Sequence, residues 1–170
     1  MNNSHTYIRL TITLNEKIKS DFCSLIQQYM KELDENAGRA SNAELAPKWA
    51  LSMINLQGTS DRYLELCCDG DTLIGFIYGK IDSEAHKGYI RPGWGYVLEL
   101  YVLPEYRRQG IAKALYTRLD SYFKQNGVCK QYLTADKVTG IPFWESVGFV
   151  NTKKKMPDNG MDIFEKIQEW

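Results

Sequence analysis

The most apolar segment of the chain, residues 96–103, leads into a polar loop and then into an amphipathic pattern. Such a run is typical of a strand that is buried on both faces, and Glu99 is its only charged residue. Pro104 ends the predicted strand because proline cannot donate to a sheet ladder. From Gly110 onward, apolar residues recur at spacings of three and four, which predicts a helix that Gly127 terminates.

The remaining pattern predicts an α/β domain. Two-residue periodicity indicates strands, three- to four-residue periodicity indicates helices, and Gly, Pro, Asn and Asp mark the turns. The predicted order is strand, helix, helix, strand, strand, strand, helix, strand, helix, strand, strand. The predicted strands cover residues 7–14, 62–68, 73–81, 96–103, 130–135, 149–155 and 161–167, and the helices cover 16–33, a segment from 48, a segment from 110, and 140–147.

Two of the predicted connections, residues 41–47 and 82–95, have features of their own. Residues 41–44 have the form of a capping box, and Pro47 delays the predicted second helix until Lys48. Residues 82–95 form a long connection before the central strand, and this connection contains three glycines, Pro92 and Trp94. Loops of this length often determine specificity. An ordinary hairpin connection is the alternative, and the sequence leaves both open.

The start of the helix at Gly110 has the features of an anion site. Gly110 and Ala112 keep side chains away from the first turn, so unpaired N–H groups point outward where the helix dipole is positive. These N–H groups form a cradle that can bind a phosphate. Alternatively, Gly110 only makes a tight turn and Ala112 only packs the helix. The chain contains neither a G-x-G-x-x-G nor a G-x-x-x-x-G-K-[ST] sequence, which excludes the usual Rossmann and P-loop signatures.

Two ordered motifs resemble those of the GNAT acyltransferases. Arg107-Arg108-Gln109-Gly110-Ile111-Ala112 resembles the [RQ]-x-x-G-x-[GA] signature, and the Leu-Tyr-Val-Leu-Pro phrase of that superfamily precedes it. Phe-Trp-Glu-Ser-Val-Gly-Phe at residues 143–149 resembles the helix end that closes the acetyl-CoA site. The resemblance covers roughly residues 96–150. It implies a single GNAT domain over residues 1–170, with a mixed, mostly antiparallel twisted sheet of six to seven strands flanked by helices.

The resemblance also implies a binding site for acetyl-CoA. In the family, the pyrophosphate binds backbone amides at this helix start, with charge assistance that Arg107 or Arg108 would supply here. The pantetheine arm would pair with the backbone of Tyr101 and Val102, and Trp144 would form a wall of the channel. The residues expected to contact the cofactor are therefore Tyr101, Val102, Arg107, Arg108, Gln109, Gly110, Ile111, Ala112, Lys113 and Trp144.

Glu99 is the candidate catalytic residue. It occupies the acidic position that many GNAT proteins have just before the Leu-Tyr-Val phrase. A primary amine attacks a thioester only as the neutral base, so a carboxylate or an ordered water must take its proton. A carboxylate inside an apolar strand also requires a partner or a function. The alternative is that Glu99 faces a wet side of the sheet or pairs with an arginine.

One position departs from the family pattern. Trp144 stands where the family most often has a tyrosine that protonates the departing thiolate, and an indole is not a general acid. Either another tyrosine, with Tyr101 and Tyr132 on the right strands, or a water replaces it, or the thiolate leaves unaided. The family's frequent asparagine falls on Lys137. These departures keep two alternatives open, which are a non-catalytic acyl-CoA-binding or sensor domain and an interaction protein with a residual fold.

Composition limits the partners. Lys plus Arg and Asp plus Glu both number 21, so no overall electrostatic field attracts nucleic acid or an anionic membrane.

No signal-peptide pattern or membrane-length apolar run occurs, and we expect a soluble, cytoplasmic protein. Four cysteines without a C-x-x-C pair and two histidines give no metal or disulfide pattern. We expect a small-molecule or peptide amine as the acceptor, and a homodimer is possible through the closing hairpin.

Overall fold

A computed structural model describes residues 4–10 and 15–168 of the chain. This part contains a seven-stranded sheet and four α-helices in the predicted order. The strands are β1 (Thr6–Arg9), β2 (Arg62–Asp69), β3 (Thr72–Ile81), β4 (Gly95–Val102), β5 (Lys130–Thr134), β6 (Val150–Lys155) and β7 (Asp162–Ile167). The helices are α1 (Glu16–Asn36), α2 (Ala46–Asn55), α3 (Ile111–Gln125) and α4 (Gly140–Ser146).

The structure differs from the prediction at the start of the second helix. Helix α2 begins at Ala46 rather than Lys48, because Pro47 fits in a first helical turn, where its missing N–H is not needed. A 3₁₀ turn over Ala43–Leu45 replaces the expected capping box, and Ser41 Oγ accepts from the N–H of Ala43. Residues 11–14 of the predicted first strand lie outside the described residues.

The strand order is β1-β2-β3-β4-β5-β7-β6, and all neighbours are antiparallel except β4 and β5. Those two parallel strands share only two registered pairs, Gly95 with Gln131 and Tyr96 with Tyr132. Past Tyr96 the strands diverge, so the rest of the β4 edge pairs with no strand on that side within the described part of the chain. The sheet therefore opens in its middle.

A β-bulge in β4 decides where Glu99 points. Tyr78 of β3 lies opposite Glu99, whereas the next residue, Gly79, lies opposite Val97, so Leu98 is an extra residue in β4. Residues opposite one another share a face of the sheet. The bulge therefore moves Glu99 from the face of Val97 to the face of Tyr78.

Helices cover both faces of the sheet. Phe22 of α1 packs edge-on against Phe76 of β3, with ring centroids 5.2 Å apart. On the opposite face, a Cβ at Gly79 would lie 3.0 Å from the methyl groups of Leu119 of α3, so glycine permits this close approach. Glu99 consequently faces α1. No helix in the described ranges is both long and apolar enough to cross a bilayer.

Candidate active site

The divergence of β4 and β5 opens a cavity of about 280 Å³. Four segments line it: the inner face of α1, the second half of β4, the loop before α3 with the first turn of that helix, and the β5–α4 connection with α4. Both sequence motifs border this cavity, since Arg107 and Arg108 line one side and Phe143 and Trp144 another. Segments that are distant along the chain thus form one site.

The start of α3, where the sequence predicts an anion cradle, has an unusual backbone conformation. Arg108 and Gly110 both have left-handed backbones, with φ of 64° and 82°. The first hydrogen bond of this helix runs from the N–H of Ala114 to the Gly110 carbonyl, at 2.9 Å. Within residues 4–10 and 15–168, the backbone N–H groups of residues 108–113 donate no hydrogen bond to another backbone group. Successive N–H groups around left-handed residues form a concave site for anions, so this loop fits a phosphate.

The remaining residues of this motif differ in exposure. Gln109, Gly110 and Lys113 are exposed, whereas Ala112 lines the cavity. Ile111 is 2% exposed, so its side chain belongs to the core and only its backbone can contact a ligand. A Cβ at Gly110 would meet no atom within 4 Å, which shows that the space beside the cradle is open.

The two arginines of the motif have different surroundings. Arg107 Nη2 forms an ion pair with Glu32 Oε2 of α1 at 2.6 Å, and its Nε donates to the Val102 carbonyl at 2.8 Å. The Arg108 side chain is exposed, and no carboxylate of the described ranges lies within ion-pair distance of it. Arg108 is therefore the arginine whose charge is uncompensated at the cavity.

The register of β4 distinguishes the two backbone positions expected to hold pantetheine. The N–H of Leu103 donates to Ile74 of β3, so the backbone of Tyr101, two residues earlier, also points toward β3. Val102 points the other way, and its carbonyl accepts from Arg107 at the open edge. The open edge therefore offers the backbone of Val102, while Tyr101 borders the cavity with its side chain.

Glu99 is oriented into the cavity. Its carboxylate accepts a hydrogen bond from the phenol of Tyr29, with Oη 2.5 Å from Oε2. Burial raises the pKa of Glu99 to about 7, although the hydrogen bond from Tyr29 acts in the opposite direction. No arginine or lysine of residues 4–10 and 15–168 pairs with this carboxylate. A carboxyl group that titrates near neutral pH in a cavity is suited to accept and release a proton.

The cavity contains one of the two tyrosines considered as the acid. Tyr101 lines it, and burial raises the pKa of this phenol to about 12. Tyr132 is fully buried in a separate aromatic cluster, where it stacks on Tyr96 at 4.3 Å and donates to Asp82. Trp144 is 7% exposed, packs edge-on against Phe149 at 5.4 Å and forms part of the cavity wall.

Sequence reasoning missed the contribution of α1. Tyr29, Glu32 and Asn36 all line the cavity, and their spacing of three and four residues places them on one helix face. Asn36 Nδ2 lies 3.4 Å from Asp136 Oδ1 across the mouth, where Asp136 also accepts N–H groups of the β5–α4 turn. Lys137, the position that corresponds to the family's asparagine, is exposed. The signal in the sequence was the helical spacing of these three polar residues, which places them on one face of α1.

Comparison with known proteins agrees with this architecture. The profile of the Acetyltransferase (GNAT) family matches residues 24–149. The chain belongs to this family of acetyltransferases, as its two motifs predicted. No curated protein sequence matches the chain.

Three solved structures share the fold at low sequence identity. The PaiA N-acetyltransferase from Thermoplasma acidophilum, in complex with coenzyme A, is 22% identical over 96% of this chain and 99% of that one, with a TM-score of 0.70. A GNAT acetyltransferase from Staphylococcus aureus Mu50 is 14% identical over 98% and 100%, with a TM-score of 0.71. An aminoglycoside 6′-N-acetyltransferase complexed with coenzyme A is 14% identical over 94% and 96%, with a TM-score of 0.67. The predicted fold class is therefore confirmed.

Proposed function

We propose that this protein transfers an acetyl group from acetyl-CoA to a primary amine within the cavity between β4 and β5. The observation that carries the proposal is that Glu99, whose pKa burial raises to about 7, faces the same cavity as the anion cradle at residues 108–113. Membership of the GNAT family supports the acetyl transfer. The coenzyme A complexes of two proteins with this fold support the choice of cofactor.

Each part of the site has a defined task in this proposal. The N–H groups of residues 108–113 hold the pyrophosphate, and the Arg108 side chain adds positive charge. The open backbone of Val102 aligns the pantetheine arm, and Trp144 walls the channel. Bound acetyl-CoA supplies a thioester that is reactive toward amines. Glu99 takes the proton that the amine must lose, directly or through a water.

Calorimetric titration with acetyl-CoA tests the cofactor site. Gly110→Glu places a carboxylate and a side chain at the cradle and should abolish binding. Gly127→Glu is the matched control, because both glycines have left-handed backbones at the ends of α3 and neither Cβ would meet an atom within 4 Å. The two variants therefore impose similar backbone strain. Wild-type protein that does not bind millimolar acetyl-CoA would refute the proposal.

A coenzyme A release assay with a panel of primary amines tests the reaction. Glu99→Gln should lower the rate at pH 8 by about 100-fold, which is within the range for loss of a general base. Its affinity for acetyl-CoA should remain that of the wild type, since Glu99 is not among the groups that hold the pyrophosphate in this proposal. Equal rates for the wild type and Glu99→Gln would remove Glu99 from the mechanism.

A non-catalytic acyl-CoA-binding domain is the second candidate. Trp144 favours it, because this buried indole stands where the family most often has a tyrosine that acts as an acid. This alternative predicts acetyl-CoA binding without coenzyme A release for any amine tested.

A further inference from the structure

Tyr29 and Glu99 form a contact that joins α1 to the central strand. The phenol donates to Glu99 Oε2 across 70 positions of sequence, so the contact depends on how α1 packs against the sheet. The second carboxylate oxygen, Oε1, accepts no hydrogen bond within the described part of the chain. One oxygen of Glu99 is therefore held while the other stays available in the cavity.

Three aromatic rings fix the Tyr29 ring independently of Glu99. It stacks on Trp49 of α2 at 5.9 Å, packs edge-on against Phe76 of β3 at 5.7 Å, and contacts the Tyr101 ring at 5.1 Å. Tyr29 is only 9% exposed. The phenol oxygen is thus placed by core packing, so the hydrogen bond is preorganised before any ligand binds.

From this geometry we infer that Tyr29 is a positioning residue for the proton acceptor Glu99. The phenol holds Oε2 and directs Oε1 toward the cavity, where the amine loses its proton. This inference rests on the proposed acetyl transfer, but its direct effect on the Glu99 carboxylate can be measured without that reaction. It assigns a functional task to an α1 residue whose sequence position indicates only core packing.

Other titratable groups also face this region. Tyr78 of β3 lies opposite Glu99 in the sheet, and Tyr96 of β4 lies on the same face. The titratable or charged groups that line the surrounding cavity are Glu32, Tyr101, Arg107, Arg108 and Asp136. None of these seven groups hydrogen-bonds Glu99 in the described ranges, so Tyr29 is its donor there. Their charges act equally on the wild type and on a Tyr29 variant.

The Tyr29→Phe variant keeps the ring and removes only this hydrogen bond. A hydrogen bond to a carboxylate stabilises its charged form, so its loss should raise the pKa of Glu99. The acid limb of kcat/KM should lie about 1 pH unit higher than in the wild type. With one amine, the variant should be about tenfold slower at pH 6. The difference should shrink toward pH 9, where only the cost of the lost orientation of Oε1 remains.

Tyr63→Phe is the matched control. The Tyr63 phenol donates to Glu65 Oε2 at 2.5 Å, the same distance, but Tyr63 lies opposite Gly79 on the face that α3 covers. The control removes a comparable buried hydrogen bond outside the cavity. It should lower the urea midpoint and leave the acid limb of kcat/KM unchanged. An equal displacement of the acid limb in both variants would overturn the inference, since the effect would then be structural.

A direct measurement separates this inference from the proposed function. Carbon-13 labelling of glutamate carboxyl groups gives the titration of Glu99 by NMR, assigned with Glu99→Gln, and needs no substrate. A higher midpoint in Tyr29→Phe than in the wild type supports the inference even if no amine is acetylated, in which case only the proposed function fails. An unchanged Glu99 titration overturns it, even if acetyl transfer is found. Tyr29→Phe should also have no further effect on the rate in a Glu99→Gln background.

Discussion

The guanidinium of Arg107 lies 2.6 Å from the carboxylate of Glu32, and this ion pair connects α1 to the loop before α3. The same side chain donates to the Val102 carbonyl at 2.8 Å. Arg107 therefore lies along the open edge of β4, where its Nε and Nη2 both have partners. A phosphate that bound at the cradle would compete with Glu32 for this arginine.

Replacing Glu32 with glutamine should strengthen acetyl-CoA binding. The substitution removes the competing carboxylate and leaves the positive charge of Arg107 available to a phosphate. Partly exposed ion pairs contribute about 0.2–1 kcal/mol, so we expect a dissociation constant lower by a factor of about 1.4 to 5. Calorimetry in low salt measures this change, which should shrink as ionic strength rises.

Glu35→Gln provides the matched charge control for that prediction. Glu35 lies on the exposed side of α1, where it is 3.9 Å from Lys31 and outside the cavity lining. The Glu35→Gln variant should bind acetyl-CoA with the same dissociation constant as the wild type. Weaker binding by Glu32→Gln would instead mean that the ion pair holds Arg107 in its binding position.

Arg108→Gln should weaken acetyl-CoA binding without destabilising the fold. The Arg108 side chain is exposed beside the cradle, and it forms no ion pair with a carboxylate of residues 4–10 and 15–168. A charge-assisted hydrogen bond contributes about 1.5–3 kcal/mol, so the dissociation constant should rise about tenfold or more. Lys154→Gln, on the exposed strand β6, makes the same change in charge and should alter neither affinity nor melting temperature.

The fold was predictable because most of its signals are local. The periodic runs of β2, β3 and α3 and the turn residues between them are contiguous in sequence, as are the motifs that contain Gly110 and Trp144. The bulge at Leu98 was not predictable, because one extra residue in an apolar run leaves its pattern unchanged. The partners of Glu99 and Arg107 were missed for a related reason. Tyr29 and Glu32 reach the site through packing between distant segments, which periodicity does not encode.

Trp144 should contribute to stability as well as to the cavity wall. Its indole packs against the rings of Tyr116, Phe143 and Phe149 at 5.5, 4.8 and 5.4 Å. Trp144→Ala removes these contacts and should lower the free energy of unfolding in urea by about 3–5 kcal/mol. Trp144→Phe keeps an aromatic ring there and should cost less than about 1.5 kcal/mol. A loss below about 1.5 kcal/mol for Trp144→Ala would show that the position tolerates a cavity.

Glu99→Gln should become more stable relative to the wild type as pH rises. Burial raises the pKa of Glu99 to about 7 from the ordinary 4.5, so between these values the folded protein binds more protons than the unfolded chain. Stability contributed by this protonated group is present below pH 4.5 and is lost as pH rises through about 7. Glutamine does not titrate. Urea unfolding at pH 5 and pH 8 should show the variant gaining roughly 2 kcal/mol on the wild type over this interval.

The wild type measured at both pH values controls for titration elsewhere in the molecule, because those groups are common to both proteins. Tyr29 can donate to a glutamine carbonyl as it does to the carboxylate, so the pH dependence isolates the charge of Glu99 rather than the loss of its hydrogen bond. A stability difference that stays constant from pH 5 to pH 8 would show that Glu99 is not held protonated by burial. The same carboxylate would then lack the near-neutral titration on which its role as proton acceptor depends.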